Sequence, residues 1–139
     1  MANIENVKLA IQVMEKATRL NMSCWQSLPN GSEIYGENCT ALVNSISELH
    51  NCGNTACFAG YLAISGIPGW SIVDGIPRYE NTAGLSEADY AVQEFLEISG
   101  KLARCLVYGS YDFYPIAFHN VTPEHVIEKL NLTLTGELQ

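Results

Sequence analysis

Apolar residues recur at helical spacing near the start of the chain: Ile4, Val7, Ile11 and Met14 lie three or four apart, with Ala10 and Ala17 beside them. That stripe predicts an amphipathic helix over residues 3–20. A polar connection over 21–36 follows, with Pro29-Asn30-Gly31 as its turn and Trp25 tucked onto the core edge. Leu42, Val43, Ile46 and Leu49 predict a second helix over 38–49. From Asn51 to Thr55 the chain holds turn formers, and from Ala56 it becomes small and apolar with no charge until Asp74. This pattern predicts a buried helix over 55–65 with Cys57 in its first turn. Gly66-Ile67-Pro68-Gly69 breaks the chain, Trp70 to Val73 reads as a short strand, and Pro77 to Gly84 reads as loop. Ser86 is the expected cap of a helix through Ile98, with Glu87 and Asp89 favourable in its first turn and Gly100 as its end. Another short helix is expected over Lys101 to Tyr108. An aromatic loop of Tyr108, Tyr111, Phe113, Tyr114 and Phe118 comes next. Thr122-Pro123-Glu124 then starts a last helix that uses Val126, Ile127 and Leu130 and frays before Gly136. The expected fold is α+β and mainly helical, a single compact domain over 1–139 of about five helices with little strand.

Length and composition support a globule. The 139 residues are the size of one domain. Apolar residues make up 47% and charged ones 16%, which excludes disorder as the default. Net charge is −8, with a pI near 4.7, the wrong sign for holding nucleic acid through its phosphates. The segment from Asp74 to Glu97 is the one acidic concentration, with Asp74, Glu80, Glu87, Asp89, Glu94 and Glu97 against Arg78 alone. Such a run is a solvated face or a partner surface. The five cysteines, Cys24, Cys39, Cys52, Cys57 and Cys105, are an odd count that fits a reduced cytoplasm. The opening residues read as an amphipathic helix rather than a leader, and no run of 18 apolar residues offers a membrane span.

Three chemistries fit the residues. A cysteine hydrolase would use Cys57 as nucleophile, because a helix N-terminus lowers a thiol's pKa, with His119 or His50 as base and Asp112 or Asn120 as orienter. A structural metal would take Cys52, Cys57 and His50, although their spacing is looser than a zinc knuckle. A ligand site would use the amides of Gly53, Asn54 and Thr55 for a phosphate. Tyr111 and Tyr114 would stack a base, and Arg78, Lys101 or Arg104 would offset charge. Against each stands a plainer reading. Cys57 is also a small hydrophobe suited to close packing, and the aromatics also suit a core beside the last helix.

The order of elements carries a resemblance. Met22-Ser23 with Trp25, the Cys-Gly-x-x-x-Cys-x-Ala-Gly-aromatic run from Cys52 to Tyr61, the Ala91 to Leu96 helix, Tyr114-Pro115 and the closing Thr-Pro-Glu helix resemble a group of small bacteriophage-encoded proteins. Those relatives commonly carry Thr where this chain has Asn54, and Trp at Tyr61 or Tyr114. The group has no established activity to transfer. What the resemblance implies is a setting, the cytoplasm of an infected bacterium, where small accessory proteins bind host or defence proteins or sequester a nucleotide signal. Binding without a cofactor, with homo-oligomerisation open and neither nucleic acid nor membrane as partner, is therefore the first expectation. The Cys57 hydrolase is the alternative. Seven tyrosines and two tryptophans suit a protein-binding surface as well.

Overall fold

The computed structural model describes residues 2–17, 20, 56–73, 76–109, 113, 114, 116 and 120–139. The expected connection over 21–36, the helix over 38–49, and His50, Cys52, Gly53, Asn54, Thr55, Tyr111, Asp112, Phe118 and His119 lie outside the described residues. Among the described residues five helices and one three-stranded antiparallel sheet form an α+β arrangement.

Helix α1 runs over Ile4–Lys16 and buries Val7, Ala10, Val13 and Met14. It is shorter than the pattern predicts, because Ala17 already has extended backbone, with ψ 129°. Its start is fixed by Asn3, whose side chain accepts from Asn6 N at 3.1 Å. Helix α2, Phe58–Ala63, is likewise shorter than the expected 55–65, yet all six of its residues are buried and so are the flanking Ala56 and Ile64. A helix apolar all round has no solvent face to present, so it sits in the core.

Strands β1 (Trp70–Val73), β2 (Ile76–Asn81) and β3 (Gly84–Glu87) form the sheet in the order β1-β2-β3. The expected loop from Pro77 to Gly84 is thus a strand and a hairpin turn. Proline argues against a central strand because it donates no ladder bond. Here Pro77 lies opposite Ile72 of β1, whereas β3 pairs with β2 only from Arg78 to Asn81, so at Pro77 the sheet is two strands wide. At the tip Asn81 Oδ1 accepts from Ala83 N at 2.9 Å and Gly84 N at 3.2 Å, holding the turn. Gly69, at φ +96°, brings the entry to β1 against β2, where its carbonyl accepts from Glu80 N at 2.9 Å.

The register sorts the faces. Trp70, Ile72, Pro77, Tyr79 and Ser86 share one side with the helices, and Trp70, Tyr79 and Phe95 form a trio with ring centroids 5.2–5.5 Å apart. Ser71, Val73, Arg78, Glu80, Leu85 and Glu87 share the other side.

Helix α3 is Ala88–Leu96 and α4 is Gly100–Tyr108. Ser86 does not cap α3. It lies in β3 opposite Tyr79, and the N-cap is Glu87, which makes no capping bond with its side chain. Gly100 does not end α3 either. Glu97 does so in left-handed conformation at φ 54°, and Gly100 opens α4 after the cap Ser99, whose Oγ accepts from Leu102 N at 3.1 Å. Gly109, at φ 67°, closes α4.

Helix α5, Pro123–Leu134, starts where Thr122-Pro123-Glu124 predicts and packs along α1. His125 Nδ1 accepts from Thr122 N at 2.9 Å, doing for the helix start what a glutamate usually does. The start of α1 meets the end of α3. Asn3 N donates to Leu96 O at 2.8 Å, Asn6 Nδ2 to Phe95 O at 2.8 Å, and Asn3 Nδ2 to Glu97 Oε2 at 2.6 Å. The free carbonyls of one helix end are satisfied by the asparagines of another helix start.

Candidate functional site

Cys57 is the N-cap of α2 rather than a residue of its first turn. Its Sγ accepts from Gly60 N at 3.4 Å, and the residue is 1% exposed. Of the groups the hydrolase reading pairs with it, His119, His50 and Asp112 lie outside the described residues, as does the metal companion Cys52, and Asn120 is exposed. Among the described residues no group of three metal-ligating side chains occurs.

The described members of the ligand constellation are not brought together. Arg78 lies on the sheet face away from the helices, with its Nε 2.9 Å from Glu87 Oε2 across the β2–β3 ladder. Arg104 is exposed on α4. Tyr114 is 5% exposed and donates its hydroxyl to Leu106 O at 3.1 Å. Burial is the main cause that holds the Tyr114 phenol well above the ordinary tyrosine range, with Cys105 and Cys57 adding to it. Tyr114 is therefore a core residue bonded to α4, where the plainer reading of the aromatics expects a core beside the last helix.

A different surface gathers around β3. Leu85 is 56% exposed and Tyr90 64%, and they lie five residues apart across the step from β3 into α3. The same stretch of chain carries the exposed Glu80, Glu87, Glu94 and Glu97 and the half-buried Asp89. Glu80 faces Leu85 across the ladder. Three of these acids have structural partners. Glu87 holds Arg78, Glu97 accepts from Asn3, and Asp89 accepts from the Tyr108 hydroxyl at 3.4 Å, joining the start of α3 to the end of α4. Partial burial, and then the Asp89 charge, push the Tyr108 pKa up to about 12. The side chains of Glu80 and Glu94 have no hydrogen-bond or ion-pair partner among the described residues.

Between the hairpin and α3 lies a niche of about 100 Å³, lined by Asn81, Ala83, Gly84, Leu85, Ser86 and Glu94. Reading 77–84 as loop hides this surface. The alternation of Arg78, Tyr79 and Glu80 before an Asn81-to-Gly84 turn is the one local signal of the hairpin, and Leu85-Ser86-Glu87 does not continue it. A second recess of about 190 Å³ lies where the chain ends meet, between Ala2, Ile4 and the Thr133–Gln139 segment. Among the described residues no helix is long and apolar enough to cross a membrane. Comparison with protein-family models, with curated proteins and with solved structures finds no match.

Proposed function

We propose that this chain acts by binding a basic protein, using the acidic face around β3 and the start of α3. The observation that carries the reading is that residues 80–97 expose Leu85 and Tyr90 together with Glu80, Glu87, Glu94, Glu97 and the half-buried Asp89. An apolar and aromatic centre supplies contact area that can be desolvated, and a charged rim selects the sign of the partner. The acids raise the encounter rate with a basic surface more than they tighten the final complex, and the effect is screened over about 8 Å at physiological salt. The resemblance to bacteriophage-encoded proteins supports the setting, an accessory protein in the cytoplasm of an infected bacterium, with a host or defence protein as the partner inhibited.

The test separates face charge from fold. Glu80→Lys with Glu94→Lys changes the two acids that hold nothing in place, so circular dichroism and melting temperature should stay close to wild type. A partner recovered from bacterial lysate by the wild-type chain should associate about tenfold more slowly with the double variant at low salt, and with a weaker salt dependence. Equal association rates for the two proteins would refute the reading.

A further inference from the structure

We propose that the niche between the β2–β3 hairpin and α3 receives the cationic head of one arginine or lysine side chain of that basic partner, an inference that rests on the acidic-face reading. Size and chemistry both argue for it. At about 100 Å³ the niche holds the volume of about three waters at ~30 Å³ each, enough for a guanidinium or ammonium head. It is well below the ~300 Å³ at which small-molecule pockets begin, so it suits a single side-chain head better than a nucleotide.

Its lining supplies the complementary groups. Glu94 brings a carboxylate with no partner among the described residues, and Ser86 brings a half-buried hydroxyl from the helix-facing side of β3. Asn81 Oδ1 is occupied by the amides of Ala83 and Gly84, so the wall is held in shape by the turn itself. The nearest strand cation, Arg78, is on the opposite face of the sheet and bound to Glu87, so it does not neutralise Glu94. One carboxylate is too few for a divalent cation, which gathers six or more oxygen ligands, whereas it matches one guanidinium in a two-point, charge-assisted contact.

The probe is a capped hexapeptide with one central arginine, compared with its lysine and citrulline versions, titrated into the full-length isotope-labelled chain. The backbone amides are followed by NMR. Saturable shifts at Ala83, Gly84, Leu85 and Ser86 are expected. Affinity should fall at least tenfold with citrulline, which keeps the shape and loses the charge, and by a similar factor in the Glu94→Gln variant. Glu128→Gln on α5 should bind as wild type. Arginine favoured over lysine would assign the two-point contact, and equal affinities would assign a simple charge contact, both within the proposal. Equal binding of arginine and citrulline, or binding indifferent to Glu94→Gln, would overturn the niche. Absence of saturable shifts with every peptide would overturn it too. The acidic face is judged separately, by the association rates of the Glu80/Glu94 double variant.

Discussion

Replacing Gly69 with alanine tests the packing that sets the sheet and hence the hairpin carrying the candidate site. At φ +96° a side chain is strained whatever space surrounds it. Left-handed backbone costs an L-residue about 1–2 kcal/mol. Space is also missing, since a Cβ at this position would stand 2.6 Å from Glu80 O and 2.9 Å from Tyr79 Cε1. Neither neighbour yields readily. The Tyr79 ring is held against Trp70 and Phe95, and moving the strands apart stretches the Glu80 N to Gly69 O bond, worth about 1 kcal/mol. Against this, alanine restricts the unfolded chain and returns about 0.4–1 kcal/mol. The net expectation is a loss of about 2 kcal/mol, or a melting temperature lower by about 8 °C. Gly66→Ala is the control. Gly66 has a similar φ of +87°, but a Cβ there would meet nothing within 4 Å, so the variant carries strain without collision and should lose less than about 1 kcal/mol. Urea denaturation of both variants, followed by circular dichroism, measures the difference. Equal losses for Gly69→Ala and Gly66→Ala would refute the close approach of β1 and β2.

Other outcomes follow from single contacts. Asn6→Ala removes the donor to Phe95 O and should cost about 1–2 kcal/mol in chemical denaturation, because a half-buried helix-end carbonyl loses its partner. Cys57→Ala removes the sulfur that accepts from Gly60 N and should destabilise by about 1 kcal/mol while leaving partner binding intact, and loss of biological effect at unchanged stability would instead favour the nucleophile reading. Tyr108 should titrate near 12 in absorbance at alkaline pH, a step absent from Tyr108→Phe. Because its folded pKa lies above the unfolded value of 10.0, its contribution to stability is fully present below pH 10 and is lost as pH rises from about 10 to 12.

The helices were legible where periodicity and punctuation agree. Thr122-Pro123-Glu124 opens α5 as expected, and the charge-free run after Ala56 gives the buried α2. Boundaries were less legible, because they are set by tertiary contacts. The end of α3 at Glu97 depends on Asn3 and Asn6, more than eighty residues away in sequence, and a left-handed glutamate gives no local signal of a stop. Pro77 misled in a different way. It argues against a strand in general, but not at a place where only one neighbour needs its edge. The acidic concentration was visible as composition. Which of those acids are engaged was not, since that depends on contacts to Arg78, Tyr108 and Asn3 made only in the fold. Arg78 shows the same limit, a cation that looks available in sequence and is bound to Glu87 in the fold.

Hydrogen exchange of the full chain, alone and with its recovered partner, tests the binding face most directly. The account predicts that slowed exchange on complex formation centres on residues 80–94, spanning the β2–β3 hairpin and the first turns of α3, and that it disappears with the Glu80→Lys, Glu94→Lys double variant. Protection centred on α5 or on the recess between the chain ends, with residues 80–94 exchanging as in the free protein, would contradict it.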